Sequence, residues 1–122
     1  MKGIGADVVS VSRMQRVLGR TPGFAEAVFT AAERAECQAR RVPGCAYALR
    51  FAAKEAFLKA LGLGVLGGVA LPDIEVRSGP GGTPRLELGP TAAGALRRRG
   101  GAAPILSLSH GGDLAVAMVL VP

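Results

Sequence analysis

Four charges on an otherwise apolar helix constrain this chain more than any other feature of it. The stretch Cys45 to Leu61 is rich in Ala and Leu, follows Pro43 and Gly44, and is ended by Gly62 in the C-cap role. At about 100° per residue, Arg50 and Lys54 fall together on one side and Glu55 and Lys59 on another, with Phe51 and Leu58 between them. A helix apolar on most sides is normally buried. Each charge on it must then face a cleft, a partner or a subunit boundary, because an unpaired charge in a core is costly. Glu55 and Lys59 also read as an ordinary i,i+4 pair contributing about 0.3 to 0.5 kcal/mol. A functional reading needs a second carboxylate. Asp7, at the end of the glycine-flanked segment Gly3-Ile4-Gly5-Ala6-Asp7, is a candidate, since two hard oxygen ligands plus substrate phosphates are how Mg²⁺ is usually held. Standing alone, Asp7 reads as a strand-terminal turn residue.

Around that helix the periodicity changes twice. Gly3 to Val9 reads as a short strand, and Ser12 to Arg41 as helical pieces broken at Thr21-Pro22-Gly23 and restarted at Thr30, where Glu33 completes a capping-box spacing. Beyond the long helix, Asp73 to Arg77 alternates, Ser78 to Pro84 turns the chain, and Arg85 to Leu88 alternates back as an antiparallel hairpin. A short helix from Pro90 to about Arg99 follows. A second hairpin joins Ile105–His110 to the apolar strand ending at Val121 through Gly111-Gly112-Asp113. Strands and helices are segregated more than they alternate, which predicts an α+β fold: a small antiparallel sheet packed with one long helix and several short ones.

With 122 residues, 49% of them hydrophobic, the expectation is a single domain over 1–122. Its burial is modest at this size, so association would help it. Four Phe, one Tyr and no Trp leave the core to Ala, Val and Leu. The net charge of +6 favours an anionic partner. Nucleic-acid readers usually add stacking aromatics, so no nucleic acid is expected; a small basic non-catalytic module binding nucleic acid or an acidic protein is the alternative from a different class. No apolar run reaches the length of about 18 residues that a membrane span needs, and Asp7 interrupts any signal-peptide core, so no membrane partner is expected. Cys37 and Cys45 form no CxxC spacing or disulfide framework, which fits a reducing cytoplasm and argues against structural zinc.

Some motifs fail on context. Gly62-Leu63-Gly64-Val65-Leu66-Gly67 matches GxGxxG, but it follows a helix where a dinucleotide fingerprint follows a strand, so it reads as a C-cap and loop. Ser107, Ser109, His110 and Asp113 have the residue types of a hydrolase triad, yet neighbours on one hairpin do not converge in that geometry. His110, the one histidine, reads either as a hydrogen-bonded surface residue or as a functional group.

The ensemble is more specific than its parts. Gly3-Ile4-Gly5-Ala6-Asp7, Phe29-Thr30-Ala31-Ala32-Glu33, Arg50-Phe51-Ala52-Ala53-Lys54-Glu55-Ala56, Asp73-Ile74-Glu75-Val76, Gly82-Thr83-Pro84 and Ser107-Leu108-Ser109-His110 occur in that order. Over nearly its whole length the chain resembles the holo-[acyl-carrier-protein] synthase family of 4'-phosphopantetheinyl transferases. The resemblance implies that family's fold, a homotrimer with sites at subunit boundaries, and transfer of 4'-phosphopantetheine from coenzyme A to a serine of an acidic apo acyl carrier protein. Mg²⁺ would be required and adenosine 3',5'-bisphosphate released. By the same resemblance Asp7 and Glu55 would be metal ligands and Lys59 would stabilise the leaving group. Arg50, Lys54 and His110 would bind the cofactor phosphates, Gly64, Gly82 and Pro84 would help enclose the nucleotide, and Arg13 and Arg16 would meet the carrier. The general base would be Glu55 or a metal-bound water. Leu63 stands where many relatives carry a small hydroxyl residue.

Overall fold

Two glycines let the first strand lie directly on the long helix. The computed structural model describes residues 1–64 and 67–122. In chain order the elements are β1 (Gly3–Ser10), α1 (Val11–Arg20), α2 (Phe24–Val28), α3 (Ala31–Gln38), α4 (Pro43–Ala60), β2 (Ile74–Ser78), β3 (Pro84–Leu88), α5 (Pro90–Arg99), β4 (Ile105–Gly111) and β5 (Leu114–Val121). A Cβ at Gly3 would collide with the Ala60 carbonyl, and one at Gly5 with the Ala56 carbonyl, so only glycine permits this approach. Strand β1 pairs antiparallel with β5, and β5 with β4, giving the order β1-β5-β4.

The fold is α+β, as expected, but its strands form two antiparallel sheets rather than one, with β2 and β3 pairing apart from the other three. Strand β5 alternates: Ala115, Ala117, Val119 and Val121 are buried on the core side, whereas Leu114 and Met118 are exposed on the other. Twelve of the eighteen residues of α4 are buried, which makes it the centre of the molecule. Ala52, Ala53, Ala56, Phe57 and Ala60 join β5, Leu106, Ile74 and Val76 in one core cluster. Towards its N-terminal end, Tyr47 joins a second cluster with Met14, Val28 and Phe29. The few aromatics concentrate here, with Phe29 and Tyr47 edge to face at 4.9 Å and Phe24 near both Phe29 and Phe51.

The start of α3 matches its sequence signal, and α1 gains a cap the sequence reading had not named. Thr30 and Glu33 form the reciprocal capping box of α3, and Ser10 Oγ accepts from Arg13 N at the start of α1. Gly81 and Gly82 turn the β2–β3 hairpin at φ 71° and 78°, conformations that strain any other residue. Of the Gly62–Gly67 string, Val65 and Leu66 lie outside the described residues.

Candidate active site

Period two on β1 carries Gly3 and Gly5 onto α4, and the next residue on that face is Asp7. Its Oδ1 accepts from Lys59 Nζ at 2.8 Å, and the same ammonium donates to the Ala6 carbonyl at 3.3 Å. Lys59 therefore pairs across to the strand, not with Glu55 one turn away on its own helix. Asp7, Glu55 and Lys59 line one groove of about 440 Å³, together with Ser10 and Arg13. Its remaining wall is apolar: Val8, Val9, Met14, Val17, Phe24 and Phe51. Burial lifts the Glu55 carboxyl above the ordinary glutamate range, the Asp7 carboxylate adds to the rise, and Lys59 opposes it. Its hydrogen bond to Asp7 holds the Lys59 ammonium above the usual lysine value.

Two carboxylates, one of them resisting its own charge, make a place where a cation relieves the repulsion. Among the described residues no group of three or more His, Cys, Asp or Glu side chains could hold a metal. The donor set at Asp7 and Glu55 is thus two hard oxygens beside an open groove. It fits Mg²⁺, which completes its shell from water and phosphate and needs no protein cage.

Lys54, expected at cofactor phosphates, is sealed in the core. Its ammonium is fully buried, bonded to Glu33 and to the carbonyls of Leu71 and Ile74, with no proton left for a ligand. Burial pulls its pKa down, and Glu33 counters. Arg50, expected at the same phosphates, is also buried. Its Nη2 donates to Glu36 at 3.0 Å and its Nη1 to the Ala46 carbonyl at 3.2 Å, while Nε has no partner. Both cations of that helix side are thus met by acids of α3, at positions 33 and 36, and neither lines a groove.

His110 does line one. A second groove of about 420 Å³ is bounded by His110, Gly112, Arg40, Arg41, Val11, Val42, Cys45, Ala46 and Leu49. Arg40 and Arg41 escaped the sequence reading because their segment matched no motif; the adjacent arginines before Pro43-Gly44 were the available signal. Ser107 and Ser109 face the opposite side of the sheet from His110, by strand alternation, which disposes of the triad. Arg13 lines the first groove, whereas Arg16 is exposed on α1 outside it. Gly82 and Pro84 sit at the β2–β3 turn and Gly64 beyond α4, in neither groove.

Asp113 was also missed as a structural partner. Its Oδ2 accepts from Ser10 Oγ at 2.7 Å and Ser12 Oγ at 2.8 Å, and its Oδ1 from Ser12 N at 2.9 Å. These bonds hold its carboxyl below the ordinary aspartate range. They tie the turn after His110 to the start of α1, across more than a hundred residues that spacing alone does not connect.

Known proteins resemble this chain in sequence and fold. The model of the 4'-phosphopantetheinyl transferase superfamily matches residues 3–119. Holo-[acyl-carrier-protein] synthase of Desulforudis audaxviator is 49% identical over 119 residues, covering 97% of this chain and 90% of that protein. The crystal structure of holo-[acyl-carrier-protein] synthase from Neisseria meningitidis superposes with a TM-score of 0.90 at 34% identity, covering 100% of this chain and 98% of that one. The Helicobacter pylori holo-[acyl-carrier-protein] synthase, solved in complex with coenzyme A, gives a TM-score of 0.85 at 28% identity, over 98% and 99% of the two chains. With its family match nearly end to end and its fold shared throughout, the chain belongs to the 4'-phosphopantetheinyl transferase superfamily, as an enzyme of the holo-[acyl-carrier-protein] synthase type.

Proposed function

We propose that the chain transfers 4'-phosphopantetheine from coenzyme A to a serine hydroxyl of an apo acyl carrier protein, with Mg²⁺, releasing adenosine 3',5'-bisphosphate. The observation that carries this reading is the convergence of Asp7, Glu55 and Lys59 on one groove. Phosphoryl transfer asks a protein mainly to position the reactants and to neutralise charge on phosphate oxygens. Asp7 and Glu55 would hold the metal, which when bound supplies positive charge to the pyrophosphate. Lys59, half-exposed and paired with Asp7 at the groove, would stabilise charge on the leaving oxygen. The serine proton would pass to Glu55 or to a water on the metal.

The second groove supports a place for the nucleotide phosphates, with Arg40, Arg41 and His110 as donors. Arg13 at the first groove and Arg16 beside it form the basic side that an acidic carrier would meet, and Met14, Phe24 and Phe51 offer it an apolar surface. By its resemblance to the family the working unit would be a homotrimer, and the candidate residues falling in separate regions of one protomer support subunits completing one another's sites. The outer face of the β1-β5-β4 sheet favours this. Ile4, Val8, Ile105, Leu114 and Met118 all expose large apolar side chains there. Among the described residues no helix is long and apolar enough to cross a membrane. Two free cysteines suit the reducing cytoplasm, where we place the reaction.

Mass spectrometry of an apo carrier protein incubated with the chain, coenzyme A and Mg²⁺ should show the gain of one phosphopantetheine unit. No gain at saturating coenzyme A refutes the reading. Asp7→Ala and Glu55→Gln should each lower kcat by about a thousandfold, a loss in the range seen when a transition-state charge stabiliser is removed. Circular dichroism should show both variants folded.

A further inference from the structure

The ion pair of Lys54 and Glu33 lies outside both grooves, yet it sits one residue from Glu55. Lys54 Nζ donates to Glu33 Oε1 at 2.8 Å, to the Ile74 carbonyl at 2.7 Å and to the Leu71 carbonyl at 3.0 Å. Both side chains are wholly buried, and the Phe29 ring lies 5.5 Å from the ammonium. Glu33 is as fully committed, since Oε1 also accepts from Thr30 N and Oε2 from Val76 N, each at 3.0 Å. One pair thereby ties together α3, α4, β2 and the turn at Leu71–Asp73.

We propose that Lys54 and Glu33 are positioning residues for the transfer reaction: they fix the rotation of α4 and so aim Glu55 into the groove, and Lys54 makes no contact with coenzyme A. This rests on the reading of the groove given above. Against β1 the helix sets Ala56, Ala60 and the Lys59 Cβ on Gly3 and Gly5, and the tie from Lys59 to Asp7 and the Ala6 carbonyl is half-exposed, so it restrains rotation less than a buried pair does. The three bonds of Lys54 are directional and resist rotation. Adjacent helix residues turn together, so a rotation that strains Lys54 also moves the Glu55 carboxylate. At a radius of about 5 Å, a turn of about 20° carries it about 2 Å. Misplacement by about 1 Å can cost about a hundredfold in rate. A buried ion pair contributes little net stability over an apolar pair of the same volume, so its use here lies in specifying one geometry.

The chain has three lysines, Lys2, Lys54 and Lys59, which suits amine labelling. Native protein acetylated with and without coenzyme A, then digested and weighed, should leave Lys54 unmodified in both samples while Lys59 reacts in the free protein. Lys54 reacting in the free protein and protected by coenzyme A overturns the proposal, and this result needs no variant to fold. Lys54→Met, Glu33→Gln and the double variant are then assayed at a temperature where circular dichroism shows them folded. Each single change should lower kcat about 10- to 100-fold. By calorimetry the coenzyme A Kd should stay within about twofold of the parent, and the double variant should be no slower than the worse single one. An unchanged kcat in folded variants, or a Kd raised tenfold by Lys54→Met, refutes the positioning role. Transfer by the unaltered chain, measured alongside, separates that outcome from failure of the functional reading itself.

Discussion

Lys59 is half-exposed, so its 2.8 Å bond to Asp7 adds little stability, and its use lies in the reach of the ammonium over the groove. If it neutralises charge that develops only as the phosphate bond breaks, Lys59→Ala should lower kcat more than it weakens coenzyme A binding. Steady-state kinetics beside calorimetric Kd values check this, and an unchanged kcat with a raised KM would assign Lys59 to ground-state binding. Asp113 gives a second residue-level test. Its folded pKa is depressed below the ordinary value of 3.8 by the Ser10 and Ser12 bonds. A depressed carboxylate stabilises the fold above its unfolded pKa, and that contribution disappears as pH falls through the folded one. Thermal melts should therefore show Asp113→Asn less stable than the parent at pH 6, with the gap closing below about pH 3.8. A gap that persists at pH 2 would show that the charge is irrelevant. The residue-scale site was legible in part: Asp7, Glu55 and Lys59 were named from their motifs and meet in one groove. Lys54 and Arg50 were misplaced, because helix phase fixes the side a cation occupies and not which acid waits there.

At the scale of elements, the glycine-on-alanine contact between β1 and α4 sets the distance between Asp7 and Glu55. Gly5→Ala puts a methyl group into the Ala56 carbonyl, and the strand must move off the helix. We expect a loss of about 3 kcal/mol, as for overpacking of a tight interior contact, and a fall in Tm on the order of 10 °C. Transfer should fall further than stability explains, because the carboxylates separate as the strand shifts. A scanning calorimetry trace matching the parent would refute the close packing. Both hairpins and the longer helices were visible beforehand, since period two and period 3.6 are properties of neighbouring residues, whereas the single short turn of α2, Phe24–Val28, was not. The pairing of β1 with β5 was not, because it joins the two ends of the chain and no local signal encodes it.

For the whole molecule, the apolar outer face of the three-stranded sheet is the feature left unexplained by one protomer. Met118 lies on the central strand, opposite Ala6 on one side and Ser107 on the other. Met118→Asp places a charge where subunits would meet, and burying it there is costly. Analytical ultracentrifugation should show three chains for the parent and one for the variant, with circular dichroism retained and transfer lost. A variant that remains trimeric would move the interface elsewhere. The charge of +6 is consistent with this division, since the apolar face serves the chain itself while arginines such as Arg13, Arg16, Arg40 and Arg41 remain outside it for anionic partners.

Composition, periodicity and the order of short motifs were enough to determine an α+β fold, the place of the long helix and the two hairpins, and the carboxylates of the groove. All of these are read within a few turns or strands, where covalent geometry couples residues to their neighbours. Tertiary structure alone decided that Lys54 and Arg50 face the acids of α3, that Lys59 crosses to Asp7, and that Arg40 and Arg41 join His110. It also decided that Asp113 holds the start of α1. Each of those is a choice among partners distant in sequence, settled by which buried charge would otherwise stand unpaired and by how closely glycine lets a strand approach a helix.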